Sequence, residues 1–529
     1  MELSERRKWY LGFAIVILAL VGFMISIHAS HFWIIIFLVS LAVVAAYDLI
    51  QTKHTLLRNF PILGHIRYIF EFFRPEIQQY FIADDKSEKP FDRDTRTVIY
   101  RRSKGINDTT AFGTDKDVYA VGYEWIAHSL TPKDPLDVEN RVFIGGPDCK
   151  HPYSASRLNI SAMSYGALSK NALIAANKGA ALGKFYQNTG EGGLTPYHDN
   201  GGDVVFQIGT GYFCVRNKDT GEFDEQKFKE RVQPNFIKMI EIKLSQGAKP
   251  AHGGVLPAAK ITAEIAEIRG CNFGKDVLSP PSHSAFEGPK GLCFFIQKLR
   301  ELSDGKPIGF KLCIGRHDEF ISICKAMVKY KIYPDFITVD GSEGGTGAAP
   351  MEYADSVGAP LNEALHFVNN ILIGFGLRDK IKLIASGKVA TGFDMVQKIA
   401  LGADICNSAR AMMMALGCIQ SRQCNNNTCP VGVATQNPKL YKNLDIEDKK
   451  VRINNFHDAT LHSFREIIGA MGFKYPSEIT PDLIFRRTSI GCVKSYEEIY
   501  PTILKDSLLS EETVPEAYKD AWEKAVVEN

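Results

Sequence analysis

The sequence predicts an α/β protein: a (β/α)8 barrel of TIM type, preceded by an N-terminal transmembrane helical hairpin and followed by a helical C-terminal segment. Three observations predict it. From about residue 150, near-continuous apolar runs alternate with helix-length segments, the pattern of a parallel sheet covered on both faces. The clearest runs are LNISAM (158–163), PIGFKLCI (307–314), DFITVDG (335–341), KLIASG (382–387) and DICNSAR (404–410). Each ends in a polar side chain, Ser164, Lys311, Ser342, Ser386 and Arg410, at the rim where such a barrel builds its active site. No G-x-G-x-x-G opens a helix after the first strand, which favours the barrel over an open doubly wound sheet. The third observation is an N-terminal segment, residues 10–47, without one Asp, Glu, Lys or Arg.

That segment holds two apolar stretches, YLGFAIVILALVGFMISI (10–27) and FWIIIFLVSLAVVAAY (32–47), joined by a link of four residues. The first reaches the ~18 residues a helix needs to cross the hydrocarbon core, and the second comes close with its flanks. A signal peptide has a shorter apolar region and no second stretch after it. Arg6, Arg7 and Lys8 precede the pair, and Lys53 and Arg58 follow it, so both ends are expected in the cytoplasm. The expected location is the cytoplasmic membrane, with the catalytic domain in the cytoplasm. The stretch 56–81 mixes aromatics with Arg58, Arg67 and Arg74, which suits either an amphipathic piece at the membrane surface or a helix packed on the body. Residues 84–105 read as a charged surface connection followed by a strand. The expected division is a hairpin at 1–50, an N-terminal extension at 51–150, the barrel with a cysteine loop at 151–440 and a helical tail at 441–529.

Composition narrows the function. The 529 residues carry 62 Lys+Arg against 60 Asp+Glu, a net +2, too balanced for a protein that neutralises nucleic-acid phosphates, so no nucleic-acid partner is expected. Eleven Cys in a chain this long make no disulfide scaffold. Three of them, Cys418, Cys424 and Cys429, share the loop GCIQSRQCNNNTCPVGVATQ (417–436), with Pro430 after the last. Zinc sites favour C-x2-C pairs and a fourth ligand nearby, neither of which is present. Soft thiolates on an irregular loop ending in Cys-Pro suit an iron–sulfur cluster better. At the rim, ASGKVATGFD (385–394) and NSARAMM (407–413) are successive strand-to-helix turns, the place where this fold binds phosphate.

The cysteine loop resembles that of the glutamate synthase large subunit, and further motifs follow in that family's order: SAMSYGALS (161–169), YQNTGEGG (186–193), QGAKPAHGGVLP (246–257), LSPPSH (278–283), FKLC (310–313) and DGSEGGTGAAP (340–350). The likeness covers roughly residues 150–440. It implies an FMN-binding barrel that reductively converts an imine to an amino acid beside a 3Fe-4S cluster held by Cys418, Cys424 and Cys429. By that likeness Ala162, Met163, Ser164 and Gln187 touch the flavin ring and Lys311 faces its N1 and C2 carbonyl. Gly344, Gly345 and Thr346 lie on a glycine-rich turn, while Ser386, Gly387, Lys388, Ala409 and Arg410 complete the phosphate pocket. Glu191 and Lys249 match the acid and base over the flavin.

The chain also departs from the family pattern. Val255 stands where the family carries a Gln that recognises 2-oxoglutarate, and His252 is a candidate substrate contact in compensation. Met1-Glu2-Leu3 replaces the N-terminal Cys of a glutaminase domain, and no NADPH fingerprint is visible. The expectation is a 2-oxo acid (2-oxoglutarate to glutamate) with ammonia or an amine as substrates, or the reverse reaction, with electrons from a separate carrier protein or reductase. Two other readings stay open: amine chemistry like that of N-methylglutamate synthase, and a membrane-tethered flavin relay without a metabolic substrate. Glu191 and Lys249 favour turnover over the relay.

Overall fold

The computed structural model describes residues 15–23 and 32–528. The chain divides into two compact units, residues 1–94 and 95–529.

In the first unit, residues 15–23 are helical, and helix α1 (Phe32–Ile50) is long and apolar enough to cross a membrane. The link of the expected hairpin, within residues 24–31, and the start of its first stretch lie outside the described residues. A five-residue helical turn, Thr55–Asn59, leads into helix α2 (Leu63–Ile77), which contains Pro75 and runs on into a wide turn at Gln78–Ile82. Within α1 only Ala42 and Asp48 are buried.

The second unit is built on a closed barrel of eight parallel strands. They are β1 (Leu158–Ile160), β2 (Tyr186–Asn188), β3 (Asp203–Ile208), β4 (Ile237–Lys243), β5 (Ile308–Leu312), β6 (Phe336–Asp340), β7 (Lys382–Ser386) and β8 (Ile405–Ser408). Closure comes from β8 pairing with β1, Cys406 beside Leu158. The expected barrel is therefore present, and KLIASG and DICNSAR are its last two strands. Strands β2 to β4 carry weaker signals: β2 has only three residues, and β4 interrupts its apolar run with Lys238, Glu241 and Lys243.

An antiparallel hairpin, Arg141–Ile144 with Tyr153–Ser156, closes the lower end. Its Val142, Ile144, Tyr153 and Ala155 join Tyr186, Val205, Met239, Phe336, Ile384 and Ile405 in one buried apolar cluster. Plugging that end leaves the opposite, C-terminal mouth as the open face of the barrel.

Two expectations are corrected. Residues 84–105 contain no strand; Arg93–Ser103 is helix α3. Its β-branched residues misled, but Arg96, Ile99, Arg102 and Ser103 are the buried ones, a spacing of three to four that only a helix places on one face. The C-terminal tail is not wholly helical. The 25-residue helix Ile446–Ala470 packs against the outer helix Lys170–Gly183, but beyond it Ile484–Ser489 and Cys492–Ser495 form a hairpin that takes Glu124–Ile126 as a third strand. The two-residue turn Ile490–Gly491, with Gly491 at φ +77°, makes that hairpin possible. Trp125 stacking on Phe485, with ring centres 5.7 Å apart, holds the added strand.

Candidate active site at the barrel mouth

Burial decides what the ends of the strands can do. Glu241 lies inside the barrel at 1% exposure and accepts hydrogen bonds from Asn188 at 2.8 Å, Gln207 at 2.7 Å and Thr338 at 2.6 Å. A buried carboxylate with three donors is well satisfied. Above it, Lys311 at the end of β5 approaches Asp340 of β6 at 3.5 Å. Burial works against the Lys311 ammonium, yet Asp340, Glu241 and Glu191 outweigh it and raise its pKa, so the cation is firmly held.

Glu191 sits in the TGEGG turn after β2 and pairs with Lys243, at the end of β4, at 2.9 Å. Burial opposes its charge, but Lys243, Arg269 and Lys249 together pull its pKa below the ordinary value, so it remains a carboxylate. Glycines make this packing possible. A Cβ at Gly254 would stand 2.2 Å from Glu191 Oε1, and one at Gly192 would stand 2.7 Å from the Ser164 Cβ. Lys249, 2% exposed, donates to the Ala348 carbonyl at 2.6 Å, which ties it to the glycine-rich loop. Burial and the neighbouring Lys243 lower Lys249 to about 8 against the pull of Glu191. His252 donates Nδ1–H to the Gly253 carbonyl at 3.0 Å, and its ring lies edge-on to Tyr353. Val255 belongs to a short antiparallel two-stranded piece, where it pairs with Leu278.

The residues expected around a flavin gather at the same mouth. Ala162, Met163 and Ser164 follow β1, and a Cβ at Gly190 would lie 2.7 Å from the Ser164 N. Gln187 in β2 is fully buried, and neither its amide nitrogen nor its amide oxygen has a hydrogen-bond partner. A buried amide in that state calls for a polar ligand beside it. Gly344, Gly345 and Thr346 form the loop after β6, where Arg410 donates to the Glu343 carbonyl and leaves no room for a side chain on Gly345. Burial lowers the pKa of Arg410, with Asp340 and Glu343 opposing. Ser386 ends β7 and shares a 3.1 Å hydrogen bond with Ser161, while Gly387 and Lys388 both take positive φ. The helix Gly392–Ala400 that follows is capped by its own Asp394, which accepts from Ala390 N and Thr391 N at 2.9 Å each.

Cys418, Cys424 and Cys429 lie on one irregular loop as free thiols. Burial first, then Cys424 and Cys429, raise the Cys418 thiol to about 11 against the hydrogen bond from Gln420 N. Among the described residues no group of three or more His, Cys, Asp or Glu side chains is arranged to hold a single metal ion. Lys260 braces the loop, donating to Cys424 O at 3.2 Å and Ala167 O at 2.7 Å, and Tyr100 of α3 donates to Cys418 O at 2.8 Å.

Sequence reasoning missed Lys243 and Arg269. Lys243 had a signal, since it ends an apolar strand as Lys311 does. Arg269 had none: at the last turn of Ala263–Arg269 it looks like an ordinary partner of the helix dipole. In the fold it is 4% exposed, donates to Tyr165 O at 2.9 Å and keeps its Nε buried without a partner.

Comparison with known proteins agrees with this geometry. Residues 130–474 match the family model described as the conserved region in glutamate synthase. The chain is 36% identical over 528 residues to the glutamate synthase large subunit-like protein YerD of Bacillus subtilis, covering 92% of this chain and 98% of that protein. It is 36% identical over 318 residues to the archaeal glutamate synthase [NADPH] of Methanocaldococcus jannaschii, covering 59% of this chain and 58% of that one. Of the NADPH glutamate synthase large chain of Bacillus subtilis it spans 20%, at 35% identity. Among solved structures, mandelate oxidase with (S)-2-phenylpropionate gives a TM-score of 0.42 at 12% identity, covering 76% of this chain and 97% of that one, too distant to bear on function. A family match over most of the barrel, together with a relative aligned along nearly its whole length, means that the chain belongs to the glutamate synthase family.

Proposed function

We propose that the protein is an FMN and iron–sulfur oxidoreductase that reductively aminates a 2-oxo acid, 2-oxoglutarate to glutamate, with ammonia, or runs the reverse. The observation that carries this reading is the charge at the mouth: four cations, Lys243, Lys249, Arg269 and Lys311, act on the carboxylates Glu191, Asp340 and Glu241, and the buried amide of Gln187 has no partner. The excess of positive charge suits a dicarboxylate, and the low-dielectric setting strengthens each contact.

The residues present fit both cofactors. Gln187 and Lys311 would face the flavin ring, and Gly344, Gly345, Gly387, Lys388, Ala409 and Arg410 would hold a single phosphate. The soft donor set Cys418, Cys424 and Cys429 suits a 3Fe-4S cluster. When bound, FMN supplies two-electron hydride transfer and the cluster one-electron transfer from a separate carrier protein or reductase. The chain's own residues do the rest. Arg269 and Lys243 orient the substrate carboxylates. Ammonia adds to the substrate carbonyl to give a carbinolamine, one of its protons passing to the carbonyl oxygen. Lys249 Nζ, with its pKa near 8, then gives its proton to that hydroxyl, which departs as water and leaves an iminium, while Glu191 holds Lys243 in place. Gly254 lets the backbone close over that carboxylate.

The reading includes a cytoplasmic catalytic unit anchored at the cytoplasmic membrane through the N-terminal apolar segment, supported by the length and composition of α1. The binding step is tested by titrating the purified protein with 2-oxoglutarate. A saturable change in the flavin spectrum, weakened at least about tenfold in Arg269→Ala, is expected from losing one charged contact. A spectrum that does not respond, or an Arg269→Ala protein that binds normally, contradicts the assignment.

A further inference from the structure

The last turn of helix α1 carries Asp48, a carboxylate that is fully buried. It accepts the Ile62 N–H at 2.9 Å, and each of its oxygens lies 2.9 Å from His65 Nε2. The chain between turns back through Thr55–Asn59 and packs closely, since a Cβ at Gly64 would be 2.8 Å from Leu57 Cδ2. A buried carboxylate therefore ties the start of α2 to the end of the apolar span, forming an elbow at the point where the apolar stretch gives way to Lys53 and Arg58.

Beyond the elbow, α2 turns apolar side chains outward. Leu63, Ile66, Phe70, Phe73 and Ile77 recur every three or four residues and so share one stripe, yet all are at least 37% exposed. Arg67, ion-paired with Glu71 at 2.8 Å, and Arg74 lie along one side of that stripe, and Tyr80, Phe81 and Ile82 beyond it are exposed. We infer that α2 lies in the plane of the membrane interface, with its Leu63–Ile77 stripe at the acyl boundary, Arg67 and Arg74 among the lipid phosphates, and Asp48–His65 setting its depth. This rests on the reading that α1 spans the membrane. The stripe spacing alone would also suit a seam with a second copy. The Asp48–His65 tie, however, already holds the stripe at the end of the apolar span, where a bilayer's interface lies, and basic residues beside an apolar aromatic stripe are the composition of an interfacial helix.

The test uses the full chain in phosphatidylcholine and phosphatidylglycerol vesicles whose acyl chains are brominated close to the headgroup. Bromine quenches tryptophan emission on contact, so Phe70→Trp and Phe72→Trp are compared as differences from the parent, whose own Trp9 and Trp33 report the apolar segment. The added emission of Phe70→Trp should be quenched about twofold more than that of Phe72→Trp, because the stripe faces the lipid. Adding His65→Ala should erase that difference by freeing the elbow. Equal or absent quenching at both positions, while the parent is quenched, overturns the inference and points to a second copy on the stripe. An unquenched parent overturns the spanning reading beneath it.

Discussion

Lys249, at the barrel mouth, is a lysine held well below its ordinary pKa of 10.5. Burial and Lys243 bring it to about 8, so near neutral pH it is mostly protonated and still gives up its proton readily. The pH profile of kcat/KM should fall as pH rises through about 8, since the proton donor is lost there; a profile flat across that range contradicts the role. Lys249→Ala should cost about 10²-fold or more in kcat while the flavin spectrum stays intact. Val255→Gln separates substrates. With 2-oxoglutarate as the natural substrate, a new amide at that position should improve kcat/KM up to about tenfold, the equivalent of ~1.4 kcal/mol. If an apolar 2-oxo acid or an amine is natural, the same change should lower activity by setting an unpaired amide against it. Glu191, Lys249 and Lys311 were legible in the sequence because each sits in a motif. Arg269 was not, because its meaning comes from a fold contact with Tyr165, 104 positions away.

At the scale of elements, the cysteine loop hangs outside the strands and is braced by Lys260 and by Tyr100 of α3. Cys424→Ser should therefore lower iron and sulfide content and leave most of the flavin, measured by metal and sulfide assay beside the visible spectrum. Zinc in anaerobically prepared protein would overturn the cluster assignment. Apolar runs ending in polar caps made β1 and β5 to β8 readable from the sequence pattern. Helix α3 was misread because Thr95, Thr97, Val98 and Ile99 favour strands locally, whereas burial of Arg96, Ile99 and Arg102 on one face decides for the helix. The C-terminal hairpin was hidden for a similar reason: its pairing with Glu124–Ile126 joins segments about 360 residues apart, which no local window can see.

At the scale of the molecule, the second unit buries imidazoles that must stay neutral. Burial drives His198 and His283 to about 4 and His457 to about 3, all below the ordinary 6.5. The unfolded chain binds those protons first, so the stabilisation they allow is present above about pH 6.5 and is lost as pH falls toward 4. Each group costs up to ~1.4 kcal/mol per pH unit in that window. The Tm should hold steady from neutral pH upward and drop steeply below about 6, and His198→Gln should shallow the drop; a Tm indifferent to acid contradicts this account. The proposed reaction draws together the barrel mouth, its cations and the cysteine loop. The most direct test reduces the purified, detergent-solubilised protein anaerobically, adds 2-oxoglutarate with ammonia, and follows flavin reoxidation together with glutamate formed. The account predicts reoxidation with one glutamate per flavin, absent without either substrate. Flavin that stays reduced with every 2-oxo acid and amine, yet reoxidises rapidly with a quinone, would contradict it and leave an electron relay.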